Sequence, residues 1–332
     1  MSKKRKTTPG IPAGLALPQF QGTLWDTHTH LDTVVRHLKN VSKTHEVEVY
    51  PISEIARAAV SSGICGILHC ACELNLVFAI DDVLDEVSVV DGVECASAVA
   101  IHPIEAVLHE AGKGGRPEVL AVAPDGLDSP KLMSHHNEYS VEEATEKIYE
   151  VAKTDARIKV VGETGLDYFR TADIGKSIQK ESFHEHIRIA NELNLPVQVH
   201  DRDAHEDVVS ILKEAKPEVA LLHSFSGDES LAQVCIENGW YMSFSGVVTF
   251  KSAQSLRDAF KLVLNAAPEL LLIETDAPFL TPAPHRGSIN APAMISYTLT
   301  YLAEHFELDI VRFCEQIADN QRQLLTRGSA QL

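Results

Sequence analysis

The sequence predicts an α/β protein folded as a (β/α)8 TIM barrel, with its chemistry at the C-terminal ends of the strands. Three observations carry this expectation. Eight short aliphatic and β-branched runs recur along the chain, helical patterns fill the intervals, and ionisable residues fall repeatedly where a run ends. With 332 residues and 45% hydrophobic content, the chain is long enough for one large barrel or two ordinary domains. It has no internal repeat and no linker-like stretch between two halves, so a single barrel over residues 23–332 is expected.

The eight runs are, in order, "TLWDTHTH" (23–30), "ICGILHCAC" (64–72), "CASAVAIHP" (95–103), "IKVVGETG" (158–165), "PVQVH" (196–200), "VALLHSF" (219–225), "WYMSFSG" (240–246) and "LLLIETD" (270–276). Each reads as a strand buried on both faces, as parallel barrel strands are. Between them, "ISEIARAAVSSG", "EEATEKIYEVAKT", "KESFHEHIRIANELN", "DVVSILKEA" and "AQSLRDAFKLVLNAA" place apolar residues three and four apart, the spacing of one helix face. Two stretches break the rhythm, 36–50 with its charges and 104–140 with its glycines and prolines, and both read as insertions in βα loops. Residues 1–22, which carry "KKRK" (Lys3, Lys4, Arg5 and Lys6), read as a disordered basic, Pro/Gly-bearing tail.

Bulk chemistry narrows the function. The formal charge of −18 excludes extended binding of duplex nucleic acid through a basic face, so any such substrate must be held locally. Six cysteines without Cys-x-x-Cys spacing read as reduced core thiols. No stretch is apolar enough for a signal peptide or a membrane span, so a cytoplasmic enzyme without membrane association is expected.

The ionisable residues at the strand ends carry the chemistry. His28 and His30 end the first run, His102 the third, Glu163 the fourth, His200 the fifth, His223 the sixth and Asp276 the eighth. Alternate residues of a strand share a face, so His28 and His30 converge on one point. Neutral imidazoles together with carboxylates suit a divalent cation. Setting aside His102, whose "IHP" turn could simply end a strand, four histidines and two acids exceed one tetrahedral shell, which implies two metals sharing a bridging carboxylate. Glu163 is the expected bridge, because Gly162 and Gly165 beside it leave room for close approach. Asp26 and Glu274 lie two residues before a ligand on the same face; Asp26 reads as support, Glu274 as support or a further ligand.

At these residues the chain resembles the TatD family of metal-dependent deoxyribonucleases, within the amidohydrolase-like barrel superfamily. The resemblance runs from about residue 24 to 325 through "DTHTHLD", "AIHP", "GETGLDYFR", "LPVQVHDRDAHEDVVSIL", "HSFSG", "YMSFSGVVTFKSA" and "LLIETDAPFLTPAPHRGSIN". It implies His28, His30, Glu163, His200, His223 and Asp276 as metal ligands, and phosphodiester hydrolysis as the reaction. Two departures bear on substrate contacts: Ile104 follows Pro103 where the family usually has histidine, and Ile289 precedes Asn290 where it usually has arginine. Ser224 also stands where cysteine is common.

The expected mechanism makes Asp276 the proton acceptor for an attacking water and Glu163 the holder of both ions, which Zn2+, Mn2+, Mg2+, Co2+ or Ni2+ could supply. His102, Arg202, Ser224 and Ser226 are the expected substrate contacts. DNA, as single strands or ends, is the expected partner, and no stable protein partner is inferred. The same ligands would serve a barrel metallohydrolase acting on a small-molecule or aminoacyl-tRNA ester or amide. A metal-binding interaction protein without turnover is the reading outside catalysis.

Overall fold

The computed structural model describes residues 10–120 and 132–327. Lys3, Lys4, Arg5 and Lys6, and the middle of the 104–140 stretch, lie outside the described residues. Eight parallel strands form one sheet in chain order: β1 (Trp25–Thr29), β2 (Gly66–Ala71), β3 (Glu94–Val99), β4 (Ile158–Asp167), β5 (Val197–Arg202), β6 (Ala220–Leu222), β7 (Tyr241–Phe244) and β8 (Leu271–Ile273). At least one helix follows each strand, so the fold is the expected (β/α)8 TIM barrel.

Backbone proximity groups the described residues into two compact units, one formed by 10–69, 81–96 and 243–321, the other by 70–80, 97–120, 132–242 and 322–327. In the first unit β1 pairs with β2 in the register Trp25↔Gly66 and Thr29↔His69. On its other side β1 meets the chain just beyond β8, where Thr29 bridges Ala277 and the Asp276 N–H donates to the His28 carbonyl at 2.9 Å. Gln321 clamps the base of β1, accepting from Trp25 N–H at 2.7 Å and donating to its carbonyl at 2.6 Å. In the second unit β3 pairs with β4, β4 with β5, β5 with β6 and β6 with β7. Ile67, Leu68, Val99, Val160, Val161, Val199, Leu221 and Leu272 are fully buried, each contributing roughly 1.5–3 kcal/mol of transfer free energy.

The two stretches read as insertions are partly helical. Leu31–Val41 is a helix whose buried Leu31, Val34 and Leu38 sit at helical spacing, while Arg36, His37 and Lys39 lie on its more exposed side. Pro103–Ala111 is a helix in which Pro103 presets the first turn and Ala106, Val107, Leu108 and Ala111 are buried. Ser134–Glu138 adds a short third helix. Residues 10–22 form no helix or strand, yet they are tied down. Leu15 N–H donates to Ser296 Oγ at 2.9 Å, and Leu17 N–H to the Ser62 carbonyl at 3.3 Å. This differs from the free tail the composition predicts, because Leu15 and Leu17 are half-buried and their N–H groups find a side-chain and a backbone partner. No helix among the described residues is long and apolar enough to cross a membrane.

Candidate metal centre

In the first unit the two histidines at the end of β1 do converge. His28 Nε2 lies 3.1 Å from His30 Nε2, and Asp276 Oδ1 lies 3.6 and 3.7 Å from those two nitrogens. Metal–ligand bonds of about 2.0–2.1 Å place neighbouring donor atoms roughly 3–3.5 Å apart, so this triad has the spacing and chemistry of a cation site. His28 is fully buried, while the Asp276 side chain keeps 16% exposure and stays open to a substrate.

The chain beyond β8 is shaped to present Asp276. Its φ of 54° is left-handed, a conformation that aspartate tolerates better than most residues and that ends the strand at Ile273, three residues earlier than expected. Asn290 is fully buried and holds this turn by donating from Nδ2 to the Thr275 carbonyl at 2.9 Å and the Phe279 carbonyl at 2.6 Å. Asp26 acts as the expected support: its carboxylate accepts from the Thr275 N–H at 2.8 Å and the Thr275 hydroxyl at 2.5 Å, locking β1 to β8. Burial, with the Glu274 carboxylate nearby, raises Asp26 well above the usual carboxylate range. Glu274 is fully buried and is not among the groups gathered with Asp276.

In the second unit Glu163 is the hub. Its Oε1 accepts from His200 Nδ1 at 2.5 Å and His223 Nε2 at 2.8 Å, with His102 Nε2 at 3.5 Å. Burial opposes its ionisation, but His223, His102 and His200 hold its carboxyl well below the usual value. The glycines beside Glu163 permit close approach, as expected, although what approaches is β5. A Cβ on Gly162 would come within 2.5 Å of Gln198 Cβ, and one on Gly165, whose φ is 136°, would overlap the His200 carbonyl oxygen.

His200 bridges two carboxylates, because its Nε2 lies 3.2 Å from Asp167 Oδ2. Burial lowers the His200 pKa, yet the hydrogen bonds to Asp167 and Glu163 carry it up to about 9. Asp167 is itself fixed by the Arg170 N–H at 2.8 Å, and its own N–H donates to the buried Gln179 Oε1 at 2.9 Å. Cys72 Sγ reaches Glu163 Oε2 at 4.0 Å, and burial raises its thiol well above the usual range, so it stays protonated as a donor. All six cysteines are free thiols.

The expected substrate contacts divide. His102 caps the helix Pro103–Ala111: its Nδ1 accepts the Ile104 N–H at 3.1 Å, so a neutral ring carries its proton on Nε2, facing Glu163. That makes it a donor rather than a ligand. Arg202 is exposed at the end of β5 with its guanidinium 4.2 Å above the Phe169 ring, not paired to Asp201, whose Oδ2 accepts from His205 at 2.8 Å. Ser224 follows His223 in a left-handed turn with φ 42°. Ser226 gives its only hydroxyl proton to the Asp201 carbonyl at 2.8 Å, which leaves none for a phosphate oxygen.

A model of the TatD related DNase family matches residues 25–326, nearly the whole chain. The chain belongs to the TatD family. Among curated TatD-type relatives, the metal-dependent hydrolase YcfH of Escherichia coli K12, described as uncharacterized, is 41% identical over 177 residues. That match spans 53% of this chain and 65% of YcfH, just short of two thirds of its length. Two solved structures share the fold. YjjV, a TatD homologue from E. coli K12, superposes with a TM-score of 0.66 at 22% identity, covering 91% of this chain and 98% of YjjV. A TatD family hydrolase from Entamoeba histolytica gives 0.70 at 14% identity, covering 93% and 100%.

Proposed function

We propose that this TatD family member is a metal-dependent phosphodiesterase that cuts DNA at single strands or accessible ends. The observation that carries the reading is the presence of two ligand groups of matching chemistry, His28–His30–Asp276 and Glu163–His200–His223, whose donor atoms lie 2.5–3.5 Å apart. The DNase name of the matching family and the hydrolase names of its relatives support it. In (β/α)8 barrel enzymes the catalytic groups come from the C-terminal ends of several strands.

His28, His30 and Asp276 would hold one divalent ion, and Glu163, His200 and His223 a second. Bound there, such ions supply Lewis acidity toward a phosphoryl oxygen and toward a water. Asp276 takes the water's proton as the water oxygen bonds to phosphorus and the ester P–O bond breaks, with that electron pair leaving on the ester oxygen. Asn290 keeps the Asp276 turn in place, and Asp167 keeps the His200 ring aimed. Arg202 and Ser224 would face the phosphate as cationic and neutral donors, while the Nε2–H of His102 is directed to Glu163. Six free thiols fit a reducing cytoplasm as the compartment.

The −18 charge sets the substrate preference, since a long duplex is repelled and affinity must come from the ions at one phosphate. With Mg2+, Mn2+ or Zn2+ supplied, single-stranded oligonucleotides should turn over faster than the interior of a blunt duplex of the same sequence. Faster cutting of the duplex interior would overturn the preference. Turnover of carboxylic esters or aminoacyl esters with intact DNA at every metal would replace the phosphodiesterase reading by that of a carbonyl-directed hydrolase.

A further inference from the structure

The second unit contains a further cluster that shares no residue with the two groups above. Glu105 and His109 lie four residues apart on the helix Pro103–Ala111, so their side chains share a face. His135 and His136 come from the short helix Ser134–Glu138. Glu105 Oε2 lies 3.3 Å from His135 Nε2 and 2.7 Å from His136 Nε2. The His109 ring centroid is 5.5 Å from that of His135 and 4.9 Å from that of His136. All three imidazoles are buried, His109 completely.

The hydrogen bonds assign each ring a role. His109 Nδ1 donates to the Tyr139 carbonyl at 2.8 Å, which leaves the lone pair on Nε2. That Nε2 is buried and has no hydrogen-bond partner among the described residues. A buried polar atom left unpaired is destabilising, so its presence calls for a partner. His136 is different: its Nδ1 accepts the Met133 N–H at 2.8 Å, so its proton sits on Nε2 and is donated to Glu105. One ligand atom from each of the four residues falls within 4.8 Å of all the others.

We propose that Glu105, His109 and His135 bind one Zn2+ in a buried site, with His136 holding the Glu105 carboxylate toward it. Imidazole and carboxylate donors together suit this borderline ion, and a hydrogen-bonded carboxylate ligand is the usual companion of such a site. The ligands are as many as 30 residues apart in sequence, so the ion would pin the helix after β3 to the segment Ser134–Glu138. Its role is structural: binding free energy at such a site becomes folding free energy of the segments it joins. Two close backbone approaches already favour the arrangement. Lys113 N–H donates to the His136 carbonyl at 2.7 Å, and a side chain on Gly112 would overlap that same carbonyl.

The test counts zinc in the full-length chain after saturation and gel filtration. Wild type should hold one more zinc per chain than His109→Gln and than Glu105→Gln, with far-ultraviolet circular dichroism unchanged. In wild type alone, amide hydrogen exchange at residues 103–111 and 134–138 should slow when zinc replaces a chelator. A zinc count that neither substitution alters, or exchange at 134–138 that zinc leaves unchanged, overturns the site.

Discussion

Asp276→Asn lowers kcat by roughly 10²- to 10⁴-fold, the contribution of a well-placed general base, while leaving the fold intact. The backbone at this position makes the substitution clean. Residue 276 sits at φ 54°, which asparagine tolerates as well as aspartate. Its N–H still reaches the His28 carbonyl at 2.9 Å, and its carbonyl still accepts the Phe279 N–H at 2.8 Å. What is lost is a carboxylate 3.6 and 3.7 Å from two imidazole nitrogens, hence the proton acceptor and part of a cation site. The measurement is kcat at saturating metal beside the melting temperature and metal content. Wild-type turnover with a full metal complement removes Asp276 from the proton-accepting role.

Glu163→Gln acts on both stability and metal. The carboxylate receives His200 at 2.5 Å and His223 at 2.8 Å in a buried setting, with His102 at 3.5 Å. Breaking a buried charge pair by removing one partner costs about 3–5 kcal/mol, because the other charge is left without compensation. Glutamine keeps the shape, so packing does not confound the result. Urea unfolding should show a loss of that order, elemental analysis should show loss of the metal equivalent held by this group, and turnover should fall to background. A variant with unchanged stability and unchanged metal would make Glu163 a bystander.

Much of this was legible because parallel strands buried on both faces leave near-continuous aliphatic runs. All eight were read, and their order follows from the barrel. Strand ends were less legible: β6 and β8 stop at Leu222 and Ile273 where the left-handed turns of Ser224 and Asp276 approach, and nothing in composition marks such turns. The helix Leu31–Val41 was hidden by the charges on its exposed side, although Leu31, Val34 and Leu38 carried the spacing.

Period-two alternation sufficed to bring His28 and His30 together, and the same rule applied to β4 reaches Asp167, four residues beyond Glu163 and on its face. The clamp of Asp26 on Thr275 had no such signal, since it joins residues 249 apart through closure of β8 onto β1. Asn290 and the Glu105–His109–His135–His136 cluster are of the same kind, assembled from segments whose spacing carries no period. Ser226 shows the limit of reading side chains by type alone, because its hydroxyl proton goes to the Asp201 carbonyl.

The positions at which divalent ions bind decide the chemistry of this chain. Crystals of the wild type soaked in Mn2+, with diffraction recorded at an energy that gives the metal anomalous signal, locate them without any substitution. One anomalous peak is predicted within bonding distance of His28, His30 and Asp276, and one beside Glu163, His200 and His223. A map with full protein density and no anomalous peak at either group would contradict the account.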